Sequence, residues 1–206
     1  MPIQSTAILG TVVLLPGEPA VACRDTDAAR WWARPLSRRL AAREARALRR
    51  LAGLDGVPRL LGWDGRRLTR SAIAGRTLRE ARPVDPAYYR FALRLLVRMH
   101  RRGVAHNDLA REPNWLVTDA GAPALIDFQL AWIDPGRGRL FRLMAREDLR
   151  HLLKHKRQYC PDRLTARQRR LLARPSAAAR AWRWTLQPLG RRLRGWLGHD
   201  SRARQE

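Results

Sequence analysis

Three residues with hard oxygen side chains are spaced as a metal-assisted reaction on phosphate requires. Asn114 stands immediately before the apolar run Trp115-Leu116-Val117, and Asp127 immediately after Ala124-Leu125-Ile126. The stretch 118–123 between them carries turn residues, so the two runs read as an antiparallel hairpin. In such a pair the residue before the first strand lies beside the residue after the second. The amide oxygen of Asn114 and the carboxylate of Asp127 then share one end of the hairpin, and both are ligands that Mg²⁺ accepts. Asp108 precedes Asn114 by six residues, on the loop that leads into the hairpin. It adds a second carboxylate at that end, available to orient a nucleophile while the other two groups hold a metal against phosphate. The plainer alternative makes Asp108 and Asp127 loop caps and Asn114 a turn residue.

The elements that must position these groups are legible to different degrees. Ile8–Leu15 and Ala20–Arg24 read as two strands around the turn Pro16-Gly17-Glu18-Pro19. Residues 36–52 read as a helix, with Leu36, Leu40, Leu48 and Leu51 on one face. Glu44 falls on that same inward face and is the only acidic residue between Asp27 and Asp55. Buried without a partner it would cost several kcal/mol or shift its pKa, so it calls for a cation. Residues 57–70 read as short strands and turns, and Ser71–Gly75 as a connector between the halves. A punctuated helix follows, with Asp85 as N-cap, Pro86 at its first position and Gly103 just past its end. Tyr88, Ala92, Leu95 and Met99 form its apolar stripe. Residues 140–157 suit another helix. On it, Asp148 either anchors the loop before the hairpin or sits exposed at a helix start.

The ordered set His106-Asn107-Asp108-Leu109, Asn114 and Asp127-Phe128-Gln129 resembles the catalytic loop and metal motif of kinase-like phosphotransferases. It is most similar to small bacterial RIO-type and lipopolysaccharide-core kinases. The resemblance spans roughly residues 20–155, with its specific part at 106–129. It implies an α+β, two-lobed protein-kinase-like fold with a reduced N-terminal β lobe and a short, mainly helical C-terminal lobe. The lobes would cover 1–70 and 71–160, followed by a basic amphipathic tail over 161–206. By position, Asp108 would be the catalytic base, Asn114 and Asp127 would hold Mg²⁺ against ATP, and His106 would brace the loop. Arg24, ending Val21-Ala22-Cys23-Arg24, matches the phosphate-binding lysine, and Glu44 matches the helix glutamate that pairs with it. The chain departs from the pattern at several points. Arginine stands for that lysine, the Asp108–Asn114 spacing is one longer than usual, Gln129 replaces a glycine, and no glycine-rich phosphate loop is visible.

The chain carries 42 Lys+Arg against 18 Asp+Glu in 206 residues, a formal charge of +24 that favours polyanionic partners. Its 45% hydrophobic content is that of a chain with a buried core and excludes global disorder. The two cysteines, Cys23 and Cys160, exclude a disulfide framework and make a cytoplasmic location the expectation. The apolar stretch Ala7–Leu15 is too short to span a bilayer and lacks a basic leader. Trp182, Leu186, Leu189, Leu193 and Leu197 recur among arginines, a pattern suited either to an anionic inner-membrane surface or to packing on the second lobe. Charge alone also permits nucleic acid, without a recognition motif. The expected activity is transfer of the ATP γ-phosphate to a hydroxyl, of a protein Ser/Thr or of a lipid-linked sugar. Two rivals remain: a pseudo-kinase module that binds a polyanion, and an RNA-associated assembly factor.

Overall fold

The computed structural model describes residues 3–7, 10–15 and 20–173, with side chains from residue 11 onward. The chain divides into one compact unit, Met1–Thr165, and a second, Ala166–Glu206. The tryptophan- and leucine-rich pattern expected after residue 180 lies outside the described residues.

The first unit begins with strands β1 (Ile3–Ala7), β2 (Gly10–Leu15) and β3 (Val21–Asp25), then helix α1 (Arg34–Arg50), then β4 (Leu60–Trp63) and β5 (Arg67–Ser71). The strands form one antiparallel sheet in the order β1-β2-β3-β5-β4. The sequence reading finds β2 and β3 to within two residues and misses β1, whose Gln-Ser-Thr composition carries no apolar alternation. Strands alternate their faces, so Ala22 and Arg24 of β3 face the same way, opposite Arg70 and Leu68 in register. Helix α1 covers that face, packing Ala41 and Ala45 on Leu68. Proline in its first turn and Arg49 and Arg50 in its last suit the helix ends. Leu48 and Leu51 are buried as expected, but Leu36 is 52% exposed, because the buried face runs through Ala33, Ser37, Ala41, Glu44 and Leu48 and Leu36 falls on the side of Arg39 and Arg43.

The mainly helical part follows. Strand β6 (Arg76–Thr77) leads into the one-turn helix α2 (Leu78–Ala81), then α3 (Pro86–Arg101), β7 (Val104–Ala105), β8 (Trp115–Val117), β9 (Pro123–Leu125), β10 (Trp132–Ile133) and α4 (Arg139–Tyr159). Asp85 caps α3 by accepting from the Ala87 amide at 2.7 Å. Tyr88, Ala92, Leu95 and Met99 are all buried in the main core, with Trp115, Leu125 and Phe128. Gly103 turns the chain out of α3 at φ 69°, where a Cβ would lie 2.5 Å from the Asp134 carbonyl. At φ 80° Gly56 lets the α1–β4 loop press on the hairpin, its carbonyl accepting from Leu125 N at 2.8 Å and its missing Cβ leaving room for the Pro123 carbonyl. That hydrogen bond ties the sheet half of the unit to the helical half. Both cysteines are free. The second unit is described only over helix α5 (Ala166–Ala173). No described helix is long and apolar enough to cross a membrane.

Candidate active site

Two small ladders bracket the loop that carries Asp108. Strand β7 ends at Ala105, opposite Trp132 of β10, so the segment entering at His106 and the segment leaving at Ala131 start side by side. Between them the hairpin forms with Trp115 opposite Leu125. Its second strand ends one residue earlier than expected. Ile126 instead donates its amide to the Asn114 carbonyl at 3.1 Å, which keeps Asn114 beside the start of Asp127. The backbone juxtaposition argued from the hairpin is therefore present.

The side-chain hydrogen bonds define which atoms remain available. Asn114 is buried, and its Nδ2 donates to both the carbonyl and Oδ2 of Asp108, at 2.9 and 3.0 Å. That fixes the amide with Oδ1 facing away from Asp108 and leaves Asp108 Oδ1 uncommitted. Gln129 Nε2 donates to Asp127 Oδ1 at 2.6 Å, leaving Asp127 Oδ2 uncommitted. Asp127 sits at φ 65° and Asn107 at φ 64°, a left-handed conformation that short polar side chains tolerate and that concentrates at functional loops. Among the described residues no three His, Cys, Asp or Glu side chains gather as a metal cage. Asn114 Oδ1 and Asp127 Oδ2 are instead two hard oxygen donors left without a partner among the described residues. This is the kind of partial site Mg²⁺ occupies when substrate phosphates and water complete its shell.

Below these groups the loop is pinned by a buried carboxylate. Asp148 of α4 is 1% exposed and accepts from His106 N at 2.8 Å, Asn107 N at 3.0 Å and His100 Nε2 at 2.9 Å. Of the two readings the sequence left open for Asp148, the structure shows the anchor. His106 itself is fully buried against Phe128, ring centroids 4.6 Å apart. Burial pushes its pKa down, so the ring is neutral, and its Nε2 donates to the Ile126 carbonyl at 3.0 Å. A second neutral imidazole, His155, joins Trp115 Nε1 in donating to the Leu109 carbonyl. His155 is a brace that sequence reading missed. The signal was its place one turn below Leu152, three residues from it on the buried face that also carries Asp148.

Arg24 and Glu44 meet across the sheet–helix interface, but not alone. Arg24 Nε lies 3.9 Å from Glu44 Oε2, while Arg70 Nε approaches Glu44 Oε1 at 3.1 Å. Glu44 is completely buried, and neither of its oxygens completes a hydrogen bond of good geometry with a described side chain. Burial therefore pushes its pKa up, opposed first by Arg70 and then by Arg24, and reinforced by the charge of Asp127. Arg70 was not singled out from the sequence, although strand alternation puts it on the face of the fully buried Leu68. Arg111 is a further addition, its Nη1 3.8 Å from Asp108 Oδ2 at the mouth of the loop. A separate cavity of about 600 Å³, lined by Val57, Arg59, Ser71, Phe91, Arg94 and Pro123 among others, contains none of these site residues.

No protein-family model matches the chain, and no curated protein matches it. Solved structures do. The crystal structure of the Rio2 kinase from Chaetomium thermophilum matches with a TM-score of 0.62 at 13% identity, covering 98% of this chain and 72% of that one. The same kinase as an ADP/Mg²⁺–phosphoaspartate complex matches with a TM-score of 0.60 at 13% identity, covering 98% and 71%. At this identity the likeness speaks for architecture, and the chain accordingly has a protein-kinase-like fold with reduced lobes.

Proposed function

We propose that the chain is an ATP- and Mg²⁺-dependent phosphotransferase that delivers the γ-phosphate to a hydroxyl, of a protein Ser/Thr or of a lipid-linked sugar. The observation that carries the reading is the Asn114 amide, clamped on Asp108 so that one free oxygen each of Asn114, Asp108 and Asp127 is left. Asn114 Oδ1 and Asp127 Oδ2 are the atoms that would hold Mg²⁺. The bound ion would supply charge neutralisation at the β- and γ-phosphates. Asp108 Oδ1 would accept the hydrogen bond of the incoming hydroxyl and take its proton as the new O–P bond forms and the bond to the ADP oxygen breaks. Arg111 places a positive charge beside that carboxylate, and Arg24 and Arg70 do so on the Glu44 side. The neighbouring kinase seen with ADP, Mg²⁺ and a phosphoaspartate is consistent with a nucleotide and metal site lined by carboxylates.

One observation favours a second reading, a catalytically weak module that binds nucleotide without turning it over. Glu44 engages Arg70 more closely than Arg24, so the residue at the lysine position is the weaker of its two partners. The discriminating experiment measures melting temperature with ATP, with Mg²⁺ and with both, since a ligand of the folded state raises it by mass action. Phosphotransfer predicts a shift that needs both ligands and disappears in Asp127→Ala. It also predicts that Asp108→Ala keeps the shift and loses γ-phosphate turnover. Equal nucleotide affinity in wild type and Asp127→Ala would remove the metal assignment. A Mg²⁺-dependent shift with no turnover by wild type would establish the second reading.

A further inference from the structure

The outward face of α1 has no role in the site and an unusual composition. Leu36, Arg39, Arg43 and Arg46 follow one another at spacings of three, four and three, which keeps them on one side of the helix, and Trp32 precedes them in the turn that leads into α1. All five are exposed, as is Trp31. Trp31 is 78%, Trp32 56% and Leu36 52% exposed, so two indoles and a leucine stand in water at the start of the row. From Leu36 to Arg49 the helix spans about 20 Å. Arg39, Arg43, Arg46 and Arg49 line a cavity of about 530 Å³ whose far wall is Trp63 of β4. None of these four arginines makes an ion pair with a described residue, and the helix's one carboxylate, Glu44, is buried on the opposite side.

Unpaired guanidinium groups around an aromatic wall bind phosphate. Indoles and an exposed leucine beside them are suited to the boundary between lipid headgroups and acyl chains. A second copy of this face would bring like charges together. The chain's own C-terminal stretch after residue 173 carries eight arginines against two carboxylates, so it does not complement the face either. Nucleic acid would answer the charges but leave Leu36 and Trp31 without an apolar environment. We infer that this face of α1 docks on a membrane leaflet containing anionic phospholipids, with headgroup phosphates in the arginine–Trp63 cleft and Trp31, Trp32 and Leu36 at the acyl boundary. The inference is independent of the phosphotransfer reading, since none of these residues belongs to that site.

The test is co-sedimentation of the full chain with vesicles of phosphatidylcholine alone and of phosphatidylcholine with phosphatidylglycerol. The expected result is binding only to the anionic vesicles, weakening as salt rises. Arg43→Glu/Arg46→Glu is expected to weaken it by at least about tenfold, since each basic residue near an anionic surface contributes about a factor of five. Trp31→Ala/Trp32→Ala is expected to weaken it too, and to reduce the tryptophan emission quenched by brominated acyl chains. Both variants change exposed residues, and an unaltered melting temperature checks that they fold. Any of three results would overturn the inference: equal binding to neutral vesicles, wild-type binding by the charge-reversed variant, or a polyuridylate competitor abolishing vesicle binding while the tryptophan variant binds as wild type.

Discussion

The two halves of the candidate site are held by different physics. Around Asp108 the loop is fastened by short hydrogen bonds with complementary donors and acceptors: Asn114 to Asp108, His106 to Ile126, and three donors on Asp148. Around Glu44 the groups are charged, buried and imperfectly paired, at 3.1 and 3.9 Å. A hydrogen-bonded network fixes direction as well as distance, so it sets which oxygen is left free. Ion pairs between long side chains fix neither as tightly, and two arginines compete for one carboxylate. The helical half is thus built to hold one geometry. The sheet half holds positive charge whose placement is less tightly fixed.

The largest expected effect tests the rigidity of the helical half. Asp148→Ala would strand two backbone donors and His100 next to a buried void. The expected loss is about 3–5 kcal/mol of unfolding free energy, as for other buried charge networks missing one partner, read by urea denaturation. A loss below about 1 kcal/mol would mean that the loop does not depend on its anchor. In the sheet half the corresponding changes should be smaller and unequal. Arg70→Met is expected to cost about 2 kcal/mol and Arg24→Met less, because Arg70 is the nearer partner of Glu44. The reverse order would show that Arg24 carries the pair in solution.

The smallest effect is a pH dependence. Burial lowers the pKa of His106, and of His155, below the ordinary 6.5. Above 6.5 both rings are neutral folded and unfolded and contribute no slope. As pH falls through 6.5 the unfolded chain takes up protons that the folded loop refuses, so stability falls toward the folded-state pKa. Glu44 has the opposite sign. Its raised pKa lets the folded state bind a proton first, adding stability as pH falls through that pKa until the unfolded carboxyl also titrates, near 4.5. His106→Gln should flatten the decline just below pH 6.5, and Glu44→Gln should remove the opposing component. An unchanged slope in His106→Gln would assign the decline to other groups.

What was legible in the sequence follows from the range of the interactions involved. The placement of Asp108, Asn114 and Asp127 around one hairpin is legible because that hairpin is local, and its pairing rule needs only two short apolar runs and a turn. Helix α3 was found because its N-cap, first-turn proline, terminal glycine and apolar stripe are all short-range signals. Glu44 was recognisable as inward by its spacing from Leu40 and Leu48. Its sharing between Arg24 and Arg70 was not, since that depends on β3 lying beside β5 in a register set across more than forty residues. Strand β1 escaped because its pairing partner, not its own pattern, makes it a strand. The leucine spacing places Leu36 inward, yet it is exposed, because the small residues Ala33, Ser37 and Ala41, which carry little signal in the sequence, are the ones that face the core at that end of α1. The sequence by itself determined the candidate site groups, most of the elements that carry them and the excess of positive charge. Tertiary structure alone decided that Asp148 anchors the loop, that two arginines divide one buried carboxylate, and that Arg38 of α1 reaches Asp27 while Arg39, Arg43, Arg46 and Arg49 reach no carboxylate among the described residues. Each of these is a contact between segments distant in the chain, and such contacts exist only once the core has brought those segments together.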